Sequence, residues 1–288
     1  MGRAIAQSKF IAMQVNLSAT SLEGLRTEYE EQLGVRWQTD GLETILEFPP
    51  QIGRGELRQI QLRSGLTIIL KNAYFLESVD VQIPDIESEI LAFRSSLSGR
   101  AKATFCGRPE EYYITPKQSR IAFFPSLGGS IESQPHQRIV QVEVTAERES
   151  FNELIADRVD LLPQEFRDVL AGKRRDPLVQ TQILSDVAIR AAEQILHCPY
   201  QGLTRRLYLE SRAIELIALH LHGNYMASSA SFKSDEIDRI HYAKEILLSN
   251  LENPPSLLEL SRKVGLNDCK LKRGFRQVFG MTAFSCLY

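Results

Sequence analysis

The chain has 288 residues, 43% of them apolar and 24% charged, a globular composition long enough for two or three domains. Its formal net charge of −2 excludes a global basic field, so any binding of nucleic acid must come from a local patch. The four cysteines form no C-x-x-C pair, which argues against a zinc site or a disulfide framework and indicates a reducing cytoplasm. Because we find neither a signal-peptide pattern nor a run of about 18 apolar residues, we predict no secretion and no membrane span.

Residues 1–48 form an N-terminal segment in which the sequence predicts one secondary-structure element. Ser21–Leu33 predicts an amphipathic helix, because Leu22, Leu25, Tyr29 and Leu33 recur on one side and acidic residues occupy the other.

Residues 49–148 change to short β-rich runs separated by turn residues, which predicts an antiparallel barrel or double-sheet roll. The predicted strands are Glu56–Leu62, Leu66–Lys71, Tyr74–Ile83, Glu89–Arg94, Ala101–Cys106, Tyr112–Ile114, Arg120–Phe124 and Ile139–Val144.

The interior of such a roll is a candidate site for a small ligand, although in small barrels aromatic residues usually just fill the core. Three polar residues suit a carboxylate-bearing or phenolate-bearing ligand, namely Arg63, Tyr112 and His136. Strand alternation predicts that Phe93, Phe105, Tyr113 and Phe124 point inward, and it adds Phe93, Tyr113 and Phe124 as aromatic candidates for the same site.

Residues 149–230 read as helical. Ser150–Glu153 resembles a capping box, and Gly172 ends a short helix over Gln164–Ala171. Asp176, followed by a proline, predicts the start of a helix that continues to His197.

A second helix then runs to about His222, forming an antiparallel hairpin with the first. Its apolar face is wider than one partner helix needs, which predicts a contact with the barrel or with a second subunit. The residues of this face are Leu203, Leu207, Leu209, Ala213, Ile214, Leu216, Ile217 and Leu221. Gly223–Lys233 reads as a linker.

Residues 231–288 contain two short helices around a tight turn. Ser256 and Glu259 form a capping box, and Gly265 suits the left-handed position that ends the first helix. Asn267 or Asp268 caps the second helix. This pattern predicts a helix-turn-helix whose second helix enters the major groove of DNA.

Positive charge gathers in the same stretch, with Asp268 as the single acidic residue from position 262 onward. The alternative is a small helical subdomain with a solvated basic face. The outward residues in the first two turns of the second helix are Cys269, Lys270, Lys272 and Arg273, and residues at the start of a recognition helix reach base edges. Flanking cations predict phosphate contacts at Arg262, Lys270 and Arg276.

The run Leu271, Arg273, Phe275, Phe279 and Gly280 resembles the first helix-turn-helix of the AraC/XylS transcription regulators. Two segments resemble the pyochelin-regulator branch of this family, which senses ferric siderophores. They are VGLNDCKLKRGFRQVFG and CPYQGLTRRLYLESRAIELIALHL. The resemblance implies a cupin-like jelly roll in residues 49–148, promoter DNA as a partner, and a ferric siderophore as effector rather than a tightly bound cofactor. It also implies base-reading contacts at Cys269, Lys272 and Arg273. The wide apolar face of the hairpin, in contrast, is what predicts a homodimer formed through residues 149–230.

Members of this family normally carry two helix-turn-helices. Thr282–Tyr288 would begin the helix that joins them, so the expectation is a partial DNA-binding domain over residues 231–288. An alternative function follows, in which the chain is a sensor or dimerising partner with impaired DNA binding. The direction of regulation and the operator stay open.

Catalytic motifs are absent from the sequence, which predicts a protein that is not an enzyme. A cupin enzyme fused to a DNA-binding module is a weaker alternative, because His136 is the only histidine in the β-rich region. The sequence His197-Cys198-Pro199 suggests haem ligation as a hypothesis, because a thiolate beside an imidazole can bind iron. A turn between two helices is the alternative explanation for these residues. No metal site is predicted.

Overall fold

The computed structural model describes residues 13–19, 21–63, 65–106, 111–126, 128–155, 158–174, 176–228, 234–251, 253–279 and 281–287. Over these ranges the chain is a mixed α+β protein, with two β-sheets followed by a helical C-terminal part. None of the helices described is long and apolar enough to cross a membrane. Gly280, predicted to end the last long helix, lies outside these ranges.

Thirteen strands, numbered in chain order, are found in the described residues. They are β1 (Met13–Asn16), β2 (Trp37–Asp40), β3 (Glu43–Glu47), β4 (Gly53–Arg63), β5 (Leu66–Phe75), β6 (Val79–Ile83), β7 (Glu87–Ser98), β8 (Ala101–Phe105), β9 (Tyr112–Ile114), β10 (Gln118–Ser126), β11 (Gly129–Ser133), β12 (Arg138–Glu147) and β13 (Leu178–Ile183).

Two sheets contain all of these strands. The larger has eight antiparallel strands in the order β13-β10-β7-β12-β5-β4-β3-β2. The smaller has five, in the order β1-β6-β11-β8-β9, with β1 and β6 parallel. The predicted strand Tyr74–Ile83 is wrong as one element, because the chain leaves the larger sheet at Phe75 and enters the smaller at Val79.

The helices are α1 (Leu22–Leu33), α2 (Arg148–Leu154), α3 (Gln164–Leu170), α4 (Asp186–Leu196), α5 (Gly202–Ser228), α6 (Ser234–Leu248), α7 (Leu257–Val264) and α8 (Asp268–Phe279). Short 3-10 turns span Val159–Leu161 and Ala283–Leu287. The predicted helix at Ser21–Leu33 is confirmed as α1, because the Ser21 hydroxyl caps it by accepting from the backbone N–H of Gly24 at 3.1 Å.

Four helix predictions need correction. The helix expected from Asp176 is the strand β13, whose backbone pairs with the edge of β10, and α4 begins only after Ser185. The capping box at Ser150 is wrong, since α2 begins earlier with Glu147 at its cap and no side-chain cap bond. The linker expected over Gly223–Lys233 is helical to Ser228, and residues 229–233 lie outside the described ranges. The joining helix expected from Thr282 is a 3-10 turn instead of an α-helix over the residues described.

The main hydrophobic core lies between one face of the larger sheet and helices α2 to α5. Phe93, Phe151 and Phe166 are fully buried there. Leu209, Ala213 and other residues on the same side of α5 are also buried in this core, which confirms a contact between the hairpin and the sheet. The opposite face of the larger sheet is covered by the smaller sheet.

Candidate functional site

A cavity lies between the two sheets, because side chains from both line it. It has two adjoining lobes of about 340 Å³ and about 430 Å³ that share lining residues such as Ile69 and Ile131. The larger sheet supplies a polar wall and the smaller supplies mostly apolar residues, including Ile83 and Ala103. Volumes of this order match small-molecule sites.

Five residues form a row across the larger sheet, and each lines the cavity. Strand register places Gln59 beside Ile69, Ile69 beside Glu143, Glu143 beside Arg94, and Arg94 beside Arg120. Residues opposite one another on neighbouring strands point to the same face, so this row presents its side chains together.

The row contains two arginines and one carboxylate. Arg94 forms an ion pair with Glu143. Arg120 has no carboxylate within ion-pair distance among the described residues; its Nη2 donates to the carbonyl oxygen of Tyr113 at 3.0 Å. Its Nε is buried with no hydrogen-bond partner in the described structure. Burial and the Arg94 charge lower the pKa of Arg120 to about 9, against the attraction of Glu143, so its guanidinium stays charged at neutral pH.

A third cation lies in the neighbouring lobe. Lys71 follows Ile69 by two residues on β5 and therefore faces the same side of the sheet. Its Nζ donates to the Ser133 hydroxyl at 2.9 Å and lies 5.3 Å from the Phe75 ring centroid. Burial, followed by the Arg94 charge, lowers the pKa of Lys71 to about 8. The charged residues that line the two lobes are four cations, Arg26, Lys71, Arg94 and Arg120, and two carboxylates, Glu143 and Glu147. The lining is therefore net positive, which favours an anionic ligand.

Helix α1 closes one side of the cavity. Leu25, Arg26 and Tyr29 line it, and the Arg26 guanidinium lies 5.4 Å from the ring centroid of Trp37. Trp37 is the single tryptophan of the chain and lines the same lobe as Lys71. Its indole fluorescence can therefore report on occupancy of this cavity.

Two of the six predicted ligand residues lie in or beside the cavity. Phe124 lines it and packs on Phe105, with ring centroids 4.7 Å apart. The Tyr112 ring packs on Phe105 at 5.0 Å and lies beneath the Arg120 guanidinium, at 5.9 Å.

The other four point elsewhere. Phe93 is buried on the helix-facing side of the sheet, against Phe151 and His220. Arg63 pairs with Glu210 of α5 at 2.5 Å. The Tyr113 hydroxyl donates to Glu111 at 2.7 Å, and His136 is exposed in a turn with a φ of 58°. These placements remove Arg63, Phe93, Tyr113 and His136 from the cavity wall.

Sequence reasoning missed Lys71, Arg94, Arg120 and Glu143. In a strand that alternates polar and apolar residues, the polar positions are normally read as facing solvent. Here helices cover the apolar face and the second sheet covers the polar face. The signal that could have found the two arginines is their position on the chain: Arg94 directly follows buried Phe93, and Arg120 directly precedes buried Ile121.

No group of three or more His, Cys, Asp or Glu side chains in the described part of the chain could hold a metal ion. Cys198, raised above as a haem ligand, packs against the main core, and His197 is exposed. His197 and Cys198 lie in the turn between α4 and α5.

The second candidate site is a helical unit formed by α6, α7 and α8. Its core contains Leu260, Val264, Leu271 and Phe275, with Ile240 from α6. The four-residue spacing of Leu260 and Val264 in α7, and of Leu271 and Phe275 in α8, places each pair on one face of its helix.

Local signals in this unit were predicted correctly. The Ser256 hydroxyl accepts from the backbone N–H of Glu259 at 3.3 Å, and the Glu259 carboxylate accepts from that of Ser256 at 2.8 Å. Gly265 has a φ of 66°, the left-handed conformation expected at the end of α7. Asn267 caps α8, because its Oδ1 accepts from the backbone N–H of Lys270 at 2.7 Å.

The outer surface of α8 is cationic. Cys269, Lys272, Arg273 and Arg276 are exposed, as is Arg262 at the end of α7. Lys272 pairs with Asp268 at 2.7 Å on the same helix. The sixth predicted residue, Lys270, is half-buried and forms an ion pair with Glu236 of α6. An exposed basic helix face of this kind can contact phosphates and base edges.

The fold and the two sites describe a protein with a ligand-sized cavity and a compact basic helical unit. Comparison with known proteins gives the family to which the chain belongs. The profile of the family described as "Regulatory protein PchR N-terminal domain" matches residues 52–233, more than half of the chain. The chain therefore belongs to this family of regulatory proteins.

A relative supports the assignment. The regulatory protein PchR of Pseudomonas aeruginosa is 33% identical in an alignment 202 residues long, which covers 66% of this chain and 63% of that protein. The match thus spans less than two thirds of the relative's length.

Solved structures give weaker likenesses, and the assignment does not depend on them. An apo structure of ToxT from Vibrio cholerae, in a lysine-to-alanine variant, has a TM-score of 0.40 at 13% identity, covering 78% of this chain and 79% of that one. The AraC-like transcriptional activator CuxR has a TM-score of 0.32 at 15% identity, covering 82% and 80%.

Proposed function

We propose that this chain is a ligand-responsive, sequence-specific DNA-binding regulator of transcription and has no catalytic role. The observation that carries the proposal is the α7–Gly265–α8 arrangement, with its buried apolar faces turned inward and an exposed basic face on α8. Membership of a family of regulatory proteins supports it.

In this proposal α7 and α8 form a helix-turn-helix, and α8 enters the major groove. Cys269, Lys272 and Arg273 read base edges from the first turns of the helix, since N-terminal residues of a recognition helix reach the bases. Arg262 and Arg276 contact phosphate. Lys270 contributes less, because Glu236 already neutralises part of its charge.

The effector binds in the cavity between the sheets, within a cupin-like sensor over residues 49–148. Buried Arg120 and half-buried Lys71 support an anionic effector, because an anion there would offset the cost of desolvating these two cations. A ferric siderophore that carries carboxylate or phenolate groups is the candidate that the family resemblance indicates.

Dimerisation through residues 149–230 completes the proposal, with residues 231–288 as the DNA-binding part in the cytoplasm. The structure changes which residues are available for the dimer contact. Leu221 is half-buried and packs against the main core, whereas Leu203 and Leu207 on α5 are 71% and 61% exposed. These two leucines are therefore the proposed centre of the contact between subunits.

A binding experiment that selects its own DNA sequences tests the DNA proposal. Duplexes enriched by the full chain from a random-sequence library are compared with scrambled duplexes by fluorescence anisotropy. We expect the enriched duplex to bind more tightly, and Arg273→Ala to weaken that preference. Arg36→Ala, which removes one exposed positive charge from the N-terminal part, is the matched control. Failure to enrich any sequence would refute the proposal.

A further inference from the structure

The DNA-binding unit contacts the sensor at a place directly connected to the cavity. Helix α8 lies against β13, and Lys244 of α6 reaches β9. The Lys244 Nζ lies 5.5 Å from the ring centroid of Tyr113 and 4.7 Å from that of Phe279, the last residue of α8. One ammonium group therefore contacts an aromatic ring of the sensor and an aromatic ring of the proposed recognition helix.

Tyr113 is also linked to the cavity, through a backbone hydrogen bond with a residue that lines it. Its carbonyl oxygen accepts from Nη2 of Arg120, the buried arginine whose Nε has no partner in the described structure. Tyr112 and Tyr113 point to opposite sides of β9, as alternation requires. Tyr112 faces Phe105 and Arg120, whereas Tyr113 faces Glu111 and Lys244.

Strand β9 is suited to move. It has three residues and lies at the edge of the smaller sheet, paired only with β8 among the described strands. A short edge strand with one neighbour has few hydrogen bonds to lose, so its local stability is low. A change in the Arg120–Tyr113 hydrogen bond can therefore shift the strand without disturbing the larger sheet.

We propose that Arg120 binds the anionic group of the effector, and that β9 transmits this binding to the DNA-binding unit through Tyr113 and Lys244. This inference rests on the proposed function and adds the ligand-anchoring residue and the route of regulation. An aromatic carboxylate suits the site, because the lobe that contains Arg120 also contains Phe105 and Phe124.

The physical step is competition for one guanidinium. A carboxylate that takes hydrogen bonds from Nε and Nη2 of Arg120 draws the guanidinium inward and weakens its bond to the Tyr113 carbonyl. The Tyr113 ring then shifts beneath Lys244, which changes how Lys244 holds Phe279 and the end of α8. Glu111 lies in the same contact, since it accepts from the Tyr113 hydroxyl and is attracted to Lys244.

Ligand anchoring is tested with benzoate and its uncharged isostere benzamide, using Trp37 fluorescence of the full chain. We expect benzoate to change the fluorescence and benzamide to have little effect. Arg120→Gln should weaken benzoate binding by about tenfold or more, the value of a charge-assisted hydrogen bond. Arg120→Lys, which keeps the charge, should restore part of the affinity. Equal binding of benzoate and benzamide, or unchanged benzoate binding by Arg120→Gln, would overturn the assignment.

Transmission is tested by amide hydrogen exchange over β9 and over α6 to α8, with and without benzoate. We expect benzoate to change exchange in both regions of the wild-type chain. Lys244→Met and Tyr113→Leu should bind benzoate within about twofold of wild type and lose the change over α6 to α8. Tyr242→Leu, at an exposed position on α6, should keep it. A persistent change in the Lys244→Met chain would exclude this route.

These readouts separate the inference from the proposed function. Hydrogen exchange and Trp37 fluorescence need no DNA, so they decide the route even if the chain enriches no duplex. Conversely, a chain that binds its enriched duplex while benzoate leaves α6 to α8 unchanged would keep the DNA-binding proposal and refute the relay.

Discussion

Replacing Lys71 by methionine should stabilise the protein at neutral pH. Methionine keeps the length of the side chain and removes a charge on a half-buried residue that is desolvated beside Arg94. The pKa of Lys71 falls from 10.5 in the unfolded chain to about 8 in the fold. That interval corresponds to about 3 kcal/mol of the free energy of unfolding, which the charged form costs the fold.

Some of this gain is offset, because the Ser133 hydroxyl loses its donor at a cost of about 1 kcal/mol. We therefore expect Lys71→Met to raise the free energy of unfolding by about 1–3 kcal/mol at pH 7.

The stability difference between Lys71→Met and wild type should depend on pH. Between pH about 8 and 10.5 the unfolded chain binds more protons at Lys71 than the folded chain does, so wild-type stability rises with pH across that window. Below pH 8 both states are protonated and the full cost remains. The advantage of Lys71→Met should therefore be largest at and below pH 8 and vanish near pH 10.5.

Urea unfolding at several pH values measures this difference directly. Lys173→Met, at an exposed lysine, is the control and should leave stability almost unchanged. If Lys71→Met were less stable than wild type at pH 7, or if its advantage did not depend on pH, the buried-charge interpretation of the cavity would be refuted.

Four further predictions follow from the described contacts. Benzoate affinity should fall as pH rises through about 8, because Lys71 loses its charge there, and fluorescence titrations in Lys71→Met should lack this dependence. Arg273→Ala should cost about 1–3 kcal/mol at one base pair and relax specificity there, whereas Arg276→Ala should weaken all duplexes evenly and flatten the salt dependence; equal effects on every duplex would contradict the assignment. Leu207→Glu should dissociate a dimer in sedimentation with its fold intact, while Leu258→Glu, at an exposed position on α7, should not. Gly265→Ala should destabilise the helical unit by about 1 kcal/mol, because alanine is strained at a φ of 66°, and thermal unfolding with unchanged stability would refute this.

The parts of the fold that could be predicted from sequence are those with local signals. Ser256, Glu259 and Gly265 act within one turn of their own helix, so these three residues were sufficient to predict both ends of α7. The strand β13 shows the opposite case. Asp176-Pro177 and the four-residue spacing of Val179 and Ile183 resemble a helix, but pairing with β10 decides the structure.

The ligand cavity could be predicted only in outline. Alternation indicated a roll with an interior, and Phe124, predicted as a ligand residue, lines the cavity. The charged residues could not be assigned, because a lysine or arginine on a strand reads as solvent-facing until both faces of the sheet are known to be covered. Phe93 and Arg94 illustrate this, since the structure places the arginine in the cavity and the phenylalanine in the core.

The central claim is that occupancy of the cavity changes binding to DNA. The most direct test is the Kd of the full chain for its enriched duplex, measured by anisotropy at one fixed salt concentration with and without ferric pyochelin, the siderophore complex that the resemblance indicates. Trp37 fluorescence reports in parallel whether the cavity is occupied. We predict that the ligand changes the Kd by at least about fivefold, the lower end of ordinary coupling between two sites. An unchanged Kd at a ligand concentration that saturates the Trp37 signal would contradict the claim.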